Sequence, residues 1–197
     1  MLIEELSRDL FDQPIMSNVA RAFYVERLIA SLLGNDWSYC GYDWGGWDIE
    51  HKTSGIKCEV KQGAAIQSWN ARNAIDDSPQ LSLPRFDIAC RTGFYEDGVT
   101  WRKANGRIAD FYVFAWHPIN SLSTADHRDE TQWVFYLCCS SKLPNQKTIG
   151  LKPLVEIADR QDSTGLSKAV DGLVDRMASS WANSKEVPSG NEGGSQP

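Results

Sequence analysis

Between Ile56 and Lys61 the chain alternates strictly, with Ile56, Cys58 and Val60 apolar and Lys57, Glu59 and Lys61 charged. That is the period of a strand with one buried face, so Glu59 and Lys61 point the same way. The preceding Trp47–Lys52 stretch also reads as extended, and Thr53, Ser54 and Gly55 are turn formers, which predicts a hairpin. A two-residue loop sets Asp48 opposite Lys61, and a four-residue loop sets it opposite Glu59. Either even loop puts Asp48 on the Glu59 and Lys61 face, whereas a three-residue loop moves it to the other side. Upstream, Val19, Ala22, Phe23, Ile29, Ala30 and Leu33 recur at helical spacing, with Ser17 or Asn18 as the cap and Gly34 as the close. Glu26 falls within that apolar stripe. A buried acid is costly unless it meets a cation, a donor or a metal, so Glu26 is either a satisfied structural acid or a member of a site.

The pattern elsewhere predicts a short amphipathic helix over Leu2–Phe11, ended before Pro14, and strands at Phe86–Cys90, Phe111–Trp116 and Trp133–Cys138. Asn70–Pro84, the glycine-bearing stretch with Gly93, Gly98 and Gly106, and Ile119–Glu130 read as loops; the first could lie over an active face. Thr148–Leu151 begins another extended segment, and Ser163 or Thr164 caps a final helix through Leu166, Val170, Leu173, Val174 and Met177. From Pro188 the tail has no apolar anchor and is expected to be disordered. There is no internal repeat.

At 197 residues and 42% hydrophobic content the chain supports one domain with a proper core. A net charge of -6 argues against a generally basic DNA-coating protein, yet a local basic groove is compatible with it. From Lys52 to Arg107 basic residues outnumber acids, which fits a solvated surface and a binding groove equally. The five cysteines are odd in number and lack CxxC spacing, so neither a disulfide framework nor a zinc site is expected. The start lacks the apolar run of a signal peptide and no stretch is long enough to span a bilayer, so a cytoplasmic protein away from membranes is expected.

Two carboxylates and a lysine change the picture. Phosphodiester cleavage needs a nucleophilic water, charge neutralisation on the phosphate and support for the leaving oxygen, all of which a hard cation supplies. Asp48 and Glu59 are oxygen ligands of the right kind. Lys61, on the same face, can hydrogen-bond water and phosphate, or take a proton if neighbouring cations lower its affinity. The plainer reading is a solvent-facing hairpin with cross-strand ion pairs, and the bare pattern is common by chance. Beyond the strand, Gln62 and the GAAIQSW segment offer small residues that pack close to the sheet and bring Gln67 and Ser68 near the phosphate path. Among eight tryptophans, Trp69 and Trp44 lie nearest the site in sequence and are the candidates for base stacking, against a core-packing role. His51 is expected on the Cys58 and Val60 side, and His117 and His127 show no metal-ligand spacing.

A helix with an acid (Glu26), an Asp on one strand (Asp48), Glu-x-Lys on the next (Glu59 to Lys61) and a Gln67–Trp69 segment behind it resembles the PD-(D/E)XK nuclease superfamily, specifically a bacterial group with an EVK strand and a QSW signature. RFDI at Arg85–Ile88, ADFYVFAWH at Ala109–His117, QWVFYL at Gln132–Leu137 and KTIGL at Lys147–Leu151 are similar too. The resemblance spans roughly residues 17 to 175. It implies an α/β fold with a restriction-endonuclease-like core, a central mixed sheet flanked by helices. It implies magnesium (or manganese) held by Asp48, Glu59 and the backbone carbonyl of Val60, with Lys61 positioning the water and Glu26 and Gln67 as further catalytic members. The eponymous proline is absent, since Trp47 precedes Asp48, at a position that varies widely in the superfamily. The expected organisation is a helical extension over 1–16, a nuclease-like domain over 17–180 and a tail over 181–197. The expected function is metal-dependent hydrolysis of DNA; the alternative is a catalytically silent nucleic-acid-binding or assembly module on the same fold. The absence of any familiar DNA-reading element favours a partner supplying target recognition or a structure-selective substrate, and two cuts across a duplex would suit a homodimer.

Overall fold

The computed structural model describes residues 1–41, 45–72, 74 and 78–185, with the backbone alone described for 180–185. Along the chain run α1 (Leu2–Phe11), α2 (Asn18–Leu33), β1 (Trp37–Tyr39), β2 (Ile49–His51), β3 (Lys57–Ala64), α3 (Ser68–Arg72), β4 (Arg85–Asp87), β5 (Arg91–Tyr95), β6 (Trp101–Gly106), β7 (Phe111–His117), β8 (Val134–Cys139), β9 (Thr148–Gly150), α4 (Leu151–Val155), β10 (Asp159–Gln161) and α5 (Leu166–Lys185). A six-stranded sheet is ordered β1-β2-β3-β7-β8-β10. Its β3–β7 pair is parallel and its other pairs are antiparallel, so the sheet is mixed.

Every residue of β7 is buried, because both faces of the sheet are covered there. Phe111, Val113 and Ala115 pack with Val25 and Ile29 of α2 and Leu166 and Val170 of α5. Tyr112, Phe114 and Trp116 pack on the opposite face with Phe86 of β4, Ile149 of β9 and Leu154 of α4. The neighbouring β3 divides by the same parity. Its Cys58 and Val60 join the helical face, which turns Glu59 and Lys61 to the other one.

Helix α2 begins where Ser17 Oγ accepts the Ala20 N–H (3.3 Å) and ends at Gly34, whose φ of 87° is available to glycine at little cost. Its phase differs from the expected stripe. Ala20, Arg21, Val25, Ile29 and Leu33 are buried, while Val19 and Phe23 are exposed. On the buried side lies Arg21, whose guanidinium donates to Gln62 Oε1 (2.6 Å), Gln67 Oε1 (2.7 Å) and Asn18 Oδ1 (3.0 Å). Apolar periodicity does not register a polar anchor of this kind.

Two further expectations are corrected. The Phe86–Cys90 strand is only Arg85–Asp87, and it pairs with β9 outside the main sheet. The glycine-bearing stretch is not a loop but the β5–β6 hairpin, whose turn is fixed by Asp97 accepting from Val99 N–H (2.9 Å) and Thr100 N–H (2.6 Å), with Gly98 at φ 77°. Strand β10 was not anticipated. The final helix runs to Lys185, and the tail from Pro188 lies outside the described residues. All five cysteines are free, and no helix among the described residues is long and apolar enough to cross a membrane.

Candidate active site

The hairpin closes in the four-residue register: Ile49 pairs with Cys58 and Glu50 with Lys57, leaving 52–55 as the loop. Asp48 sits just before β2, its N–H donating to the Cys58 carbonyl (3.0 Å) and its own carbonyl accepting from Cys40 N–H (2.7 Å). With its backbone held on both sides, the carboxylate turns into the gap between the strands and accepts the Val60 N–H at 2.7 Å. An extended residue directs its N–H and C=O to the same edge, so the Val60 carbonyl faces the gap that its amide faces. The start of β3 is tied in turn to β7, with Lys57 N–H donating to Asp110 Oδ2 (2.8 Å) and Asp110 N–H to the Lys57 carbonyl (2.8 Å).

The Lys61 ammonium donates to Glu59 Oε1, and the two side chains are only 23% and 18% exposed. Glu59 and Lys61 open into a cleft of about 400 Å³. Its far wall is the β5–β6 hairpin with Arg91, Phe94 and Trp101, and Asp87, Arg107 and Tyr112 complete the lining. Among the described residues Arg107 is paired with no carboxylate: its three nitrogens donate to the carbonyls of Ile88 (2.8 Å), Leu143 (3.2 Å) and Pro144 (2.6 Å). Arg91 is paired with Asp87.

Charge at this point is out of balance. Burial pushes the Asp48 carboxyl up to about 8, helped by Glu59 and Glu26 and opposed by Lys61 and the Val60 N–H. Glu26 is raised as well, by burial first, even though the Tyr39 hydroxyl donates to it at 3.0 Å. Burial alone would lower Lys61, but Glu59 and Asp48 outweigh it and hold the ammonium above its ordinary value. Three carboxylates thus gather around the Lys61 ammonium, with Arg27 also acting on Glu26.

The structure therefore brings Asp48, Glu59 and Lys61 together and sets Glu26 within their electrostatic reach. Asp48 stands behind Glu59 and does not itself line the cleft. Gln67 is placed elsewhere. Its carbonyl accepts from Arg21 and its amide donates to the Ala64 carbonyl (2.9 Å), which makes it a clamp on a buried guanidinium rather than a member of the cluster. Trp69 is half exposed but does not line the cleft, and Trp44 lies outside the described residues. His51 lies on the buried side as expected, 5.0 Å from the Trp37 ring. His117 and His127 are buried together, ring centroids 4.8 Å apart.

Trp101, Arg91, Arg107 and Tyr112 were missed as site residues. The available signal was Asp97-Gly98 between the Phe94–Tyr95 and Thr100–Trp101 pairs, a turn dipeptide flanked by strand formers. The hairpin docks on the segment that delivers Asp48. Gly45 bridges Tyr95, Trp47 meets Phe94 edge-on at 5.5 Å, and a Cβ on Gly46 would lie 2.9 Å from Phe94 Cδ2.

The donor chemistry fits a hard divalent cation: oxygens only, anionic, and in mutual repulsion that a cation relieves. Among the described residues Asp48 Oδ1 and Glu59 Oε2 carry no hydrogen bond, so each acid keeps an oxygen to offer. No ring of three or more His, Cys, Asp or Glu side chains forms a ready-made metal cage among the described residues. The set is two carboxylates with a backbone carbonyl beside them. Comparison with family models, with curated proteins and with solved structures found no match to this chain.

Proposed function

We propose that the protein is a magnesium- or manganese-dependent nuclease of the PD-(D/E)XK kind that hydrolyses DNA phosphodiester bonds. The observation that carries this is the convergence of Asp48, Glu59 and Lys61 at the gap between β2 and β3, with Glu59 and Lys61 opening into a cleft that also holds Arg107. Asp48, Glu59 and the Val60 carbonyl would hold the cation, which when bound supplies an acidified water and neutralises phosphate charge.

The chain's own groups do the rest. Lys61, paired with Glu59 at the cleft, donates hydrogen bonds to the attacking water and to a non-bridging phosphate oxygen. The Arg107 guanidinium, fixed by three carbonyls, adds a positioned positive charge where the phosphate gains negative charge. Tyr112, raised by burial and by Glu59, keeps its proton and can donate.

The test is strand cleavage by the purified full chain in magnesium, on single-stranded and duplex DNA. Cleavage is expected from the wild type and is expected to fall by a factor of about 100 or more in Lys61→Ala, a typical cost of removing a positioned electrostatic group. Cleavage that survives unchanged in Lys61→Ala sinks the assignment. Metal binding without cleavage of any DNA favours the silent module.

A further inference from the structure

Trp101 is a large aromatic that the fold leaves half exposed (51%) at the mouth of a charged cleft. It is not loose. A Cβ on Gly93 would lie 2.3 Å from Trp101 Cζ2, so the indole rests directly on the backbone of the opposite strand in the space that the glycine leaves. The Tyr95 ring meets it edge-on at 5.1 Å and 70°. One side of the indole is therefore supported by the hairpin, and the remainder faces solvent and the cleft. Holding an aromatic in place before binding removes an ordering cost from the binding step.

The same cleft presents Phe94 and Tyr112, with Lys61, Arg91 and Arg107 as cations and Glu59 and Asp87 as acids. Its volume of about 400 Å³ stands at the small end of the ~300–1,000 Å³ range of ligand clefts. A volume of that size suits one nucleotide-sized unit. A paired, stacked base has no open face to give an indole, whereas an unpaired base has two.

We infer that this cleft takes an unpaired nucleotide of a DNA single strand, its base stacked on Trp101 and its phosphate directed between Arg107 and Lys61. The inference rests on the nuclease reading of the floor of the cleft and adds its substrate class: single-stranded DNA, or the unpaired stretch of a branched one. The β5–β6 hairpin is the wall that makes the selection.

The experiment is fluorescence anisotropy with a labelled oligodeoxythymidylate and a blunt duplex of equal length, with calcium in place of magnesium so that binding is read without cleavage. The wild-type chain is expected to bind the single strand more tightly than the duplex. Trp101→Ala should weaken single-strand binding about tenfold, as expected for loss of one stacked base, and should leave duplex binding unchanged. Trp101→Phe should recover most of the loss, and both variants should keep the wild-type circular dichroism. Equal single-strand binding by wild type and Trp101→Ala, a preference for duplex, or no binding of either DNA overturns the inference. In magnesium the two proposals separate. A chain that binds single strands through Trp101 but cuts nothing loses the nuclease reading and keeps this one, whereas a chain that cuts equally well with and without Trp101 does the reverse.

Discussion

Replacing Asp48 by Asn should stabilise the metal-free protein at alkaline pH. Asp48 is raised from 3.8 to about 8 by burial first and by Glu59 and Glu26 next. The unfolded chain therefore ionises this group near pH 4 while the folded one keeps its proton to about 8. For a carboxyl shifted upward, the folded state binds the extra proton between those limits. Stability falls as pH rises through this window and levels off above it. At 1.36 kcal/mol per tenfold the ceiling is ~6 kcal/mol, and relaxation and water entry in a real site bring it to ~2–3 kcal/mol. Asn keeps an oxygen to accept the Val60 N–H but carries no charge. Urea unfolding in chelator should show Asp48→Asn equal to wild type near about pH 3, below the unfolded value, and ~2 kcal/mol more stable near about pH 9. Added magnesium should stabilise the wild type and close the gap. An Asn variant that is no more stable at high pH than at low pH, relative to wild type, refutes the electrostatic reasoning.

Gly46→Ala puts a Cβ 2.9 Å from Phe94 Cδ2 and 3.2 Å from Ile108 Cγ2; it should cost ~1–2 kcal/mol in urea unfolding, and no loss would show that the hairpin is not seated on this segment. His127 is pushed down to about 3 by burial, then by Arg21 and His117, and its Nδ1 accepts the Met16 N–H at 3.1 Å. A histidine kept neutral in the fold adds stability that is lost as pH falls from about 6.5 toward 3. In an Asp48→Asn background, which removes the opposing trend, His127→Gln should flatten that acid limb, and an unchanged slope contradicts the assignment.

The elements legible in sequence were those in which one physical term dominates. The β3 alternation, the apolar β7 and β8 runs, and the Ser17 and Gly34 ends of α2 each follow from burial or capping alone. The phase of α2 was not legible, because the buried Arg21 depends on Gln62 and Gln67, more than forty positions away. The same network takes Gln67 away from the cleft: its neighbourhood in sequence points to the phosphate path, while its partner Arg21 lies on α2. Strand β10 is three residues long and carries no apolar alternation, too short for periodicity to reveal. For the site, strand parity was sufficient for Glu59 and Lys61, and the turn length at 52–55 decided Asp48. The cleft's second wall required knowing that Gly45–Trp47 and the hairpin meet, a long-range contact without a local pattern.

The proposed divalent-cation site rests on Asp48 and Glu59 together. Calorimetric titration of the chelator-treated full chain with manganese tests it most directly. One binding event is predicted in the wild type, lost or greatly weakened in both Asp48→Asn and Glu59→Gln. An undiminished isotherm in both variants would contradict it.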